Sequence, residues 1–181
     1  MPFPQSRTHT SEDYWNLPEG KRAELIEGGL YAMAPPDFIH QRLAAQLTKL
    51  IGNYIDAHNG DCVIIPAPFA VNLDASDKNW VEPDISVICD KQKLTAHGCL
   101  GAPDWIVEIV SPSSRKMDYN RKNALYSEAG VREYWIIDPA KEKVTVYFYQ
   151  EDADPVIYTF NQVIYSGIYR DLSIIVSELL K

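Results

Sequence analysis

The amino-acid sequence predicts a mixed α/β domain built around a central sheet. Three observations predict it. Leu43, Leu47, Leu50, Ile51 and Tyr54 recur at three- and four-residue steps, which marks an amphipathic helix from residue 38 to about 57. Residues 104–111, Asp-Trp-Ile-Val-Glu-Ile-Val-Ser, are nearly continuously apolar, as in a strand buried on both faces. A second helical stretch, from about residue 115 to 129, then leads into a Val- and Tyr-rich hairpin over 132–137 and 143–150. Helices interspersed with strands in this order give an α/β layer architecture.

The remaining elements follow from punctuation. Residues 1–13 are polar with two prolines and read as a loose arm before a single domain over 14–181. Residues 24–34 suggest two short strands around a Gly28-Gly29 turn, and Pro35-Pro36-Asp37 then breaks the chain. Asn59-Gly60 ends the first helix. Residues 62–65 and 70–73 read as strands, with Pro66 and Pro68 marking a bend between them. A turn at 74–79 precedes a strand over 80–89, and 90–102 reads as a loop with at most one helical turn. Ser113 or Ser114 can cap the second helix, and Gly130 is placed to stop it. A further strand is expected over 156–160 and a short helix over 172–180.

Composition narrows the class. The 181 residues, 46% hydrophobic, suffice for one continuous core. No run of about 18 apolar residues is present, so no membrane span is expected. The first residues lack the basic-then-apolar pattern of a secretory signal, which points to the cytoplasm. Cys62, Cys89 and Cys99 are odd in number and form no Cys-x-x-Cys pair. That argues against a disulfide framework and fits a reducing compartment. His97 and Cys99 lack the paired-ligand spacing of a structural zinc site. The net charge of -8 counts against a nucleic-acid binder, whose affinity rests on a basic footprint. Residues 115–122 run the other way, with Arg115, Lys116, Arg121 and Lys122 against one acid, although a solvated helix face would read the same.

Glu108 demands an explanation, because a carboxylate in the middle of an apolar strand must be paired or hold a metal. Three Pro-Asp dipeptides offer a second carboxylate: Asp37, Asp84 and Asp104. Asp104 lies four residues before Glu108 on the same strand, roughly 13 Å away, too far to share one small cation. Asp37 sits in a loop with no evident reason to reach the sheet. Asp84 lies on a separate strand, and an adjacent strand is only about 5 Å distant. The simplest nuclease pattern would carry a lysine two residues after the glutamate, but Val110 fills that place. Asp118, Lys122 and Tyr126 share one face of the following helix, so Lys122 is a substitute if that face meets the strand. A surface ion pair with Asp118 is its alternative fate. Two carboxylates and a lysine suit phosphodiester hydrolysis, which needs a hard cation on oxygen ligands and positive charge beside the reacting phosphate.

These residues match a known pattern. The stretch Glu24-Leu-Ile-Glu27-Gly-Gly-Leu-Tyr, the lone His40, Glu82-Pro-Asp84, residues 102–114, and Asp118 through Lys122 and Tyr126 to Pro139 stand in the order of one family. The chain resembles the Uma-type family of the PD-(D/E)XK endonuclease superfamily, from about Tyr14 onward. The resemblance implies a restriction-endonuclease-like core, a central mixed β-sheet flanked by helices. It implies Mg2+ (or Mn2+) held by Asp84 and Glu108, a lysine moved to the helix as Lys122, and a glutamate from the first hairpin. Glu24 fits that last place, with Glu27 where an acid is also usual. His40 also matches; it can contact phosphate or water, or merely cap its helix.

The functional expectation is a metal-dependent DNA endonuclease, working as a homodimer because two strands need two sites. A weak or inactive nuclease-fold protein that binds nucleic acid or protein is the alternative, favoured by the acidic charge. A carboxylate-metal hydrolase of small phosphorylated molecules is a third.

Overall fold

The computed structural model describes residues 8–151 and 153–181. Of the expected loose arm, residues 1–7 lie outside the described residues, and the rest is not loose. Helix α1 (Ser11–Trp15) starts inside it. The Thr10 N–H donates to the Asp13 carboxylate at 3.1 Å, closing the first turn. The His9 N–H donates to the Gly28 carbonyl at 2.8 Å, and Ser11 N–H to the Asp77 carbonyl at 3.1 Å.

Strands β1 (Ala23–Ile26) and β2 (Gly29–Ala32) form the expected hairpin, but its turn residues are Glu27 and Gly28. Both are left-handed, with φ of 51° and 78°, as a two-residue hairpin turn requires. Helix α2 (Phe38–Ala57) has the extent its periodicity predicts. Asp37 caps it, its side chain accepting the His40 N–H, and Leu43, Leu47, Ile51 and Ile55 form its buried stripe.

The chain continues through β3 (Val63–Pro66), β4 (Val71–Asn72), β5 (Trp80–Val81) and β6 (Ile85–Ile88). The single strand expected over 80–89 is thus two strands, and they belong to different sheets. Pro83 has no N–H to give a ladder, so Glu82-Pro83-Asp84 carries the chain from one sheet to the other. Two short strands, β7 (Leu94–Thr95) and β8 (Gly98–Leu100), occupy part of the expected loop. The clearest strand of the sequence is β9 (Trp105–Ile109). The second helix contains a π-helical stretch, Met117–Lys122, leading into α3 (Asn123–Ala129), and Gly130 (φ 88°) ends it. Then come β10 (Glu133–Asp138), β11 (Lys143–Phe148), β12 (Val156–Thr159), β13 (Ile164–Tyr165) and β14 (Ser173–Ile174). The short helix expected over 172–180 is β14 followed by a 3-10 turn, Val176–Leu180.

One sheet runs β2-β1-β5-β4-β8-β7 and the other β12-β11-β10-β9-β6-β3, with β13 and β14 paired apart. In the second sheet β9 is central, parallel to β10 and antiparallel to β6. All five of its residues are buried. Trp105, Val107 and Ile109 pack with the α2 stripe, while Ile106 and the following Val110 pack with Tyr126 and Tyr134 on the other face. Helices therefore cover both faces, which explains the apolar run in sequence. Glu108, alternating with Val107 and Ile109, faces the side of Tyr126.

Cys62 and Cys89 form a disulfide, which corrects the expectation from cysteine number. They flank the Val63↔Ile88 pair of antiparallel β3 and β6, a proximity that spacing along the chain conceals. Cysteine usage therefore no longer points to a reducing compartment. Cys99 is free and buried. Among the described residues, no helix is long and apolar enough to cross a membrane.

Candidate functional site

The site begins with strand register. Ile85 pairs with Val107, so Asp84, one residue before β6, stands across from Glu108. Such cross-strand neighbours hold their Cβ atoms about 5 Å apart. The backbone reinforces the pair. Asp84 N–H donates to Glu108 Oε2 at 3.3 Å, and Ile109 N–H donates to Asp84 Oδ2 at 2.7 Å. Asp104 and Asp37 are not brought there. Asp104 accepts from Cys89 N–H and pairs with Arg132, while Asp37 caps α2.

Lys122 closes the site from the helix. Its Nζ lies 2.8 Å from Glu24 Oε1, 2.9 Å from Glu108 Oε1 and 3.6 Å from Asp118 Oδ1. The last distance is too long for a hydrogen bond and counts as an ion pair only. Lys122 is not a surface residue, being 4% exposed. Glu24 arrives from β1 in the other sheet, and its Oε1 also accepts the Glu82 N–H at 2.9 Å. The π-helical stretch holds Asp118 and Lys122, and its face continues to Tyr126, whose hydroxyl donates to Glu108 Oε1 at 2.7 Å. Val110 packs in the apolar cluster, so the ammonium reaches Glu108 from the helix and not from the strand.

His40 projects from the first turn of α2, with Nε2 3.1 Å from Asp84 Oδ2. Its backbone N–H is capped by Asp37, and its ring lies between Gln41 Oε1, 3.2 Å from Nδ1, and Asp84. Glu27 is exposed in the hairpin turn and, among the described residues, touches none of these groups; its backbone N–H donates to Asn79 Oδ1. The structure thus brings together Glu24, His40, Asp84, Glu108, Asp118 and Lys122, and leaves out Glu27.

The charges do not balance. Glu24, Asp84, Glu108 and Asp118 converge on one lysine and one histidine. Burial raises the Glu108 pKa well above the ordinary carboxylate range; Lys122 opposes this, but Asp84, Asp118 and Glu24 add to it. Burial likewise raises Asp118 against the pull of Lys122. Burial would lower the Lys122 pKa, but Glu108, Glu24 and Asp118 raise it well above the ordinary lysine value. For His40, burial is outweighed by the hydrogen bond and charge of Asp84, and its pKa is raised.

Sequence reasoning placed Tyr126 on the correct helix face without giving it a partner. It missed the outer support altogether. Glu82 accepts from Tyr14 OH at 3.0 Å and pairs with Arg22 at 2.6 Å. That pins the segment whose N–H positions Glu24. A charged residue beside Pro83 was visible, but its partners lie 60 and 68 residues away.

Residues 11–165 match the family model described as "Uma2: Putative restriction endonuclease". The chain belongs to the Uma2 family. Among relatives of this Uma2 protein is the "Uncharacterized protein slr1290" of Synechocystis sp., 26% identical over 162 residues, covering 88% of this chain and 82% of that one. The fold is that of a solved structure described as a "putative nuclease belonging to DUF820" from Anabaena variabilis. That similarity has a TM-score of 0.77 at 20% identity and covers 94% of this chain and 96% of that chain.

The donor set suits a hard divalent cation. Among the described residues no three His, Cys, Asp or Glu side chains form a ready-made metal cluster. Mg2+ does not require one, because it is commonly held by one or two carboxylates plus water and substrate oxygens. Asp84 and Glu108 supply two. Asp84 Oδ1 accepts no hydrogen bond among the described residues, and this side chain is 16% exposed. The excess of buried negative charge is what a divalent cation would offset.

Proposed function

We propose that this Uma2 protein is a divalent-metal-dependent endonuclease that hydrolyses DNA phosphodiester bonds. The observation that carries the reading is the cross-strand pair Asp84 and Glu108, with Lys122 Nζ 2.9 Å from Glu108 in a buried, acid-rich setting. Asp84 and Glu108 would hold Mg2+ or Mn2+. The cation, when bound, polarises the phosphate and supplies positive charge to the developing oxyanion. Lys122 keeps Glu108 and Glu24 compact and adds fixed positive charge beside the phosphate. Tyr126 and the backbone of Ile109 hold Glu108 and Asp84 in place, and His40 orients Asp84 from the first turn of α2. Because two strands must be cut, the working unit is proposed to be a homodimer.

The net charge of -8 favours a second reading, a nuclease-fold binding module with little or no cleavage. Plasmid DNA incubated with the protein and Mg2+ or Mn2+ decides. Nicking that disappears in Asp84→Asn and Glu108→Gln supports the nuclease. DNA left intact by the wild type at all metal concentrations supports the binding module. Cleavage surviving both substitutions assigns it to another source.

A further inference from the structure

We infer that a basic cleft beside the Asp84–Glu108 site is the seat of the DNA backbone, gripping phosphates next to the one being attacked. This rests on the endonuclease reading and deepens it. A cavity of about 560 Å³ is lined by Arg115, Lys116, Lys141 and Lys143, with Tyr119 and Asn120 among the other lining residues. Among the described residues no carboxylate lines it. Asp138, buried beneath, pairs with Arg115 and holds the guanidinium in place at Nη2···Oδ1 2.9 Å. Lys116, Lys141 and Lys143 are exposed and make no ion pair among the described residues. A protein of net charge -8 repels a polyanion over most of its surface, so three uncompensated lysines in one cleft define where a polyanion can approach.

Sheet register joins the cleft to the site. Ile136 of β10 pairs with Glu108 on one side and with Thr145 on the other. Thr145, which lines the cleft, therefore shares the face of Glu108 two strands away, about 10 Å. Lys143 lies on that face two residues nearer the end at which Asp84 leads into β6. Along the helix, Arg115 precedes Lys122 by seven residues. At about 3.4 Å of helix axis per charge on one strand, a span of about 10 Å covers roughly three phosphates.

The test compares two triple variants with equal charge change. Lys116→Gln/Lys141→Gln/Lys143→Gln removes the cleft's lysines, and Lys21→Gln/Lys49→Gln/Lys91→Gln removes exposed lysines elsewhere. A short fluorescein-labelled duplex DNA is titrated by anisotropy with metal omitted, over roughly 50 to 200 mM salt. The cleft variant is expected to bind at least about tenfold more weakly, with a log K against log salt slope reduced by up to about 2.7. The control variant is expected to change little. Equal losses in both variants, or no binding by the wild type, overturn the inference. Plasmid cleavage separates the two readings. Cleft-dependent binding without cleavage keeps the cleft and rejects the nuclease. Cleavage with unchanged binding in the cleft variant keeps the nuclease and rejects the cleft.

Discussion

Lys122 and Glu108 meet at 2.9 Å with both side chains 5% exposed, one carried by a helix and the other by the central strand. Neither can be buried alone at tolerable cost. Lys122→Ala is expected to lower unfolding free energy by about 3–5 kcal/mol in urea titration, because Glu24 and Glu108 lose their cation. The double variant Lys122→Met/Glu108→Gln removes both charges of the pair and is expected to recover part of that loss, the remainder staying with Glu24, which still lacks its cation. If the double variant is as unstable as the single, the pair is not the source of the cost. In either variant cleavage is expected to vanish, which separates the role in folding from the role in chemistry.

Asp84→Asn and Glu108→Gln keep volume and remove one charge each. Both are expected to fold with wild-type circular dichroism and to bind Mn2+ at least about tenfold more weakly by calorimetry, since even orienting partners of ligands typically contribute that much. His40→Ala tests orientation. It should weaken Mn2+ binding less than Asp84→Asn while leaving stability nearly unchanged, because α2 is capped by Asp37 and not by the imidazole. Unchanged affinity in all three would remove the metal from this position.

The thiols give a direct count. With Cys62 bonded to Cys89, an aromatic disulfide reagent should find one thiol in the denatured, unreduced protein and three after reduction. In the native protein even Cys99 should be silent at neutral pH, because burial pushes its thiol up to about 11. The bond spans a sequence separation of 27 residues, so reduction is expected to lower stability by about 3 kcal/mol. Three reactive thiols without reductant would contradict the cross-link.

Much of this was legible in the sequence. The α2 stripe and β9 were strong because their periodicity is local and both were met by packing on the expected faces. Asp84 was separable from Asp104 by distance and from Asp37 by its place in a loop, and the register puts it where that reasoning pointed. What stayed hidden was non-local. The split of 80–89 into strands of two sheets depends on pairing partners, β1 for Trp80 and β9 for Ile85, that no local pattern names. The Cys62–Cys89 bond depends on the β3–β6 register. Glu24 and Glu27 stand three residues apart on one hairpin. Only the two-residue turn at Glu27-Gly28 decides that Glu24 faces inward, and a turn placed one residue later would have left both open.

Glu133 supplies a final prediction away from the site. It is 1% exposed at the start of β10. Its Oε2 accepts Ser166 Oγ at 3.1 Å, Gly167 N–H at 2.9 Å and Ile168 N–H at 3.0 Å, and its Oε1 accepts Trp135 Nε1 at 2.6 Å. It thereby ties the segment beyond β13 to the central sheet. Glu133→Ala strands these donors and is expected to cost about 3 kcal/mol or more. Glu133→Gln replaces one acceptor oxygen by a donor facing other donors, at about 1–3 kcal/mol. Burial raises the Glu133 pKa above the ordinary value, although Trp135, Gly167, Ile168 and Ser166 pull it down. A carboxyl raised on folding contributes stability that is fully present below its unfolded pKa and is lost as pH rises through the folded value. The gap between wild type and Glu133→Gln should therefore be wider in buffer near pH 4, about the ordinary glutamate pKa, than at neutrality. A gap that widens toward neutral pH would mean that the donors outweigh burial and that Glu133 is held as a carboxylate.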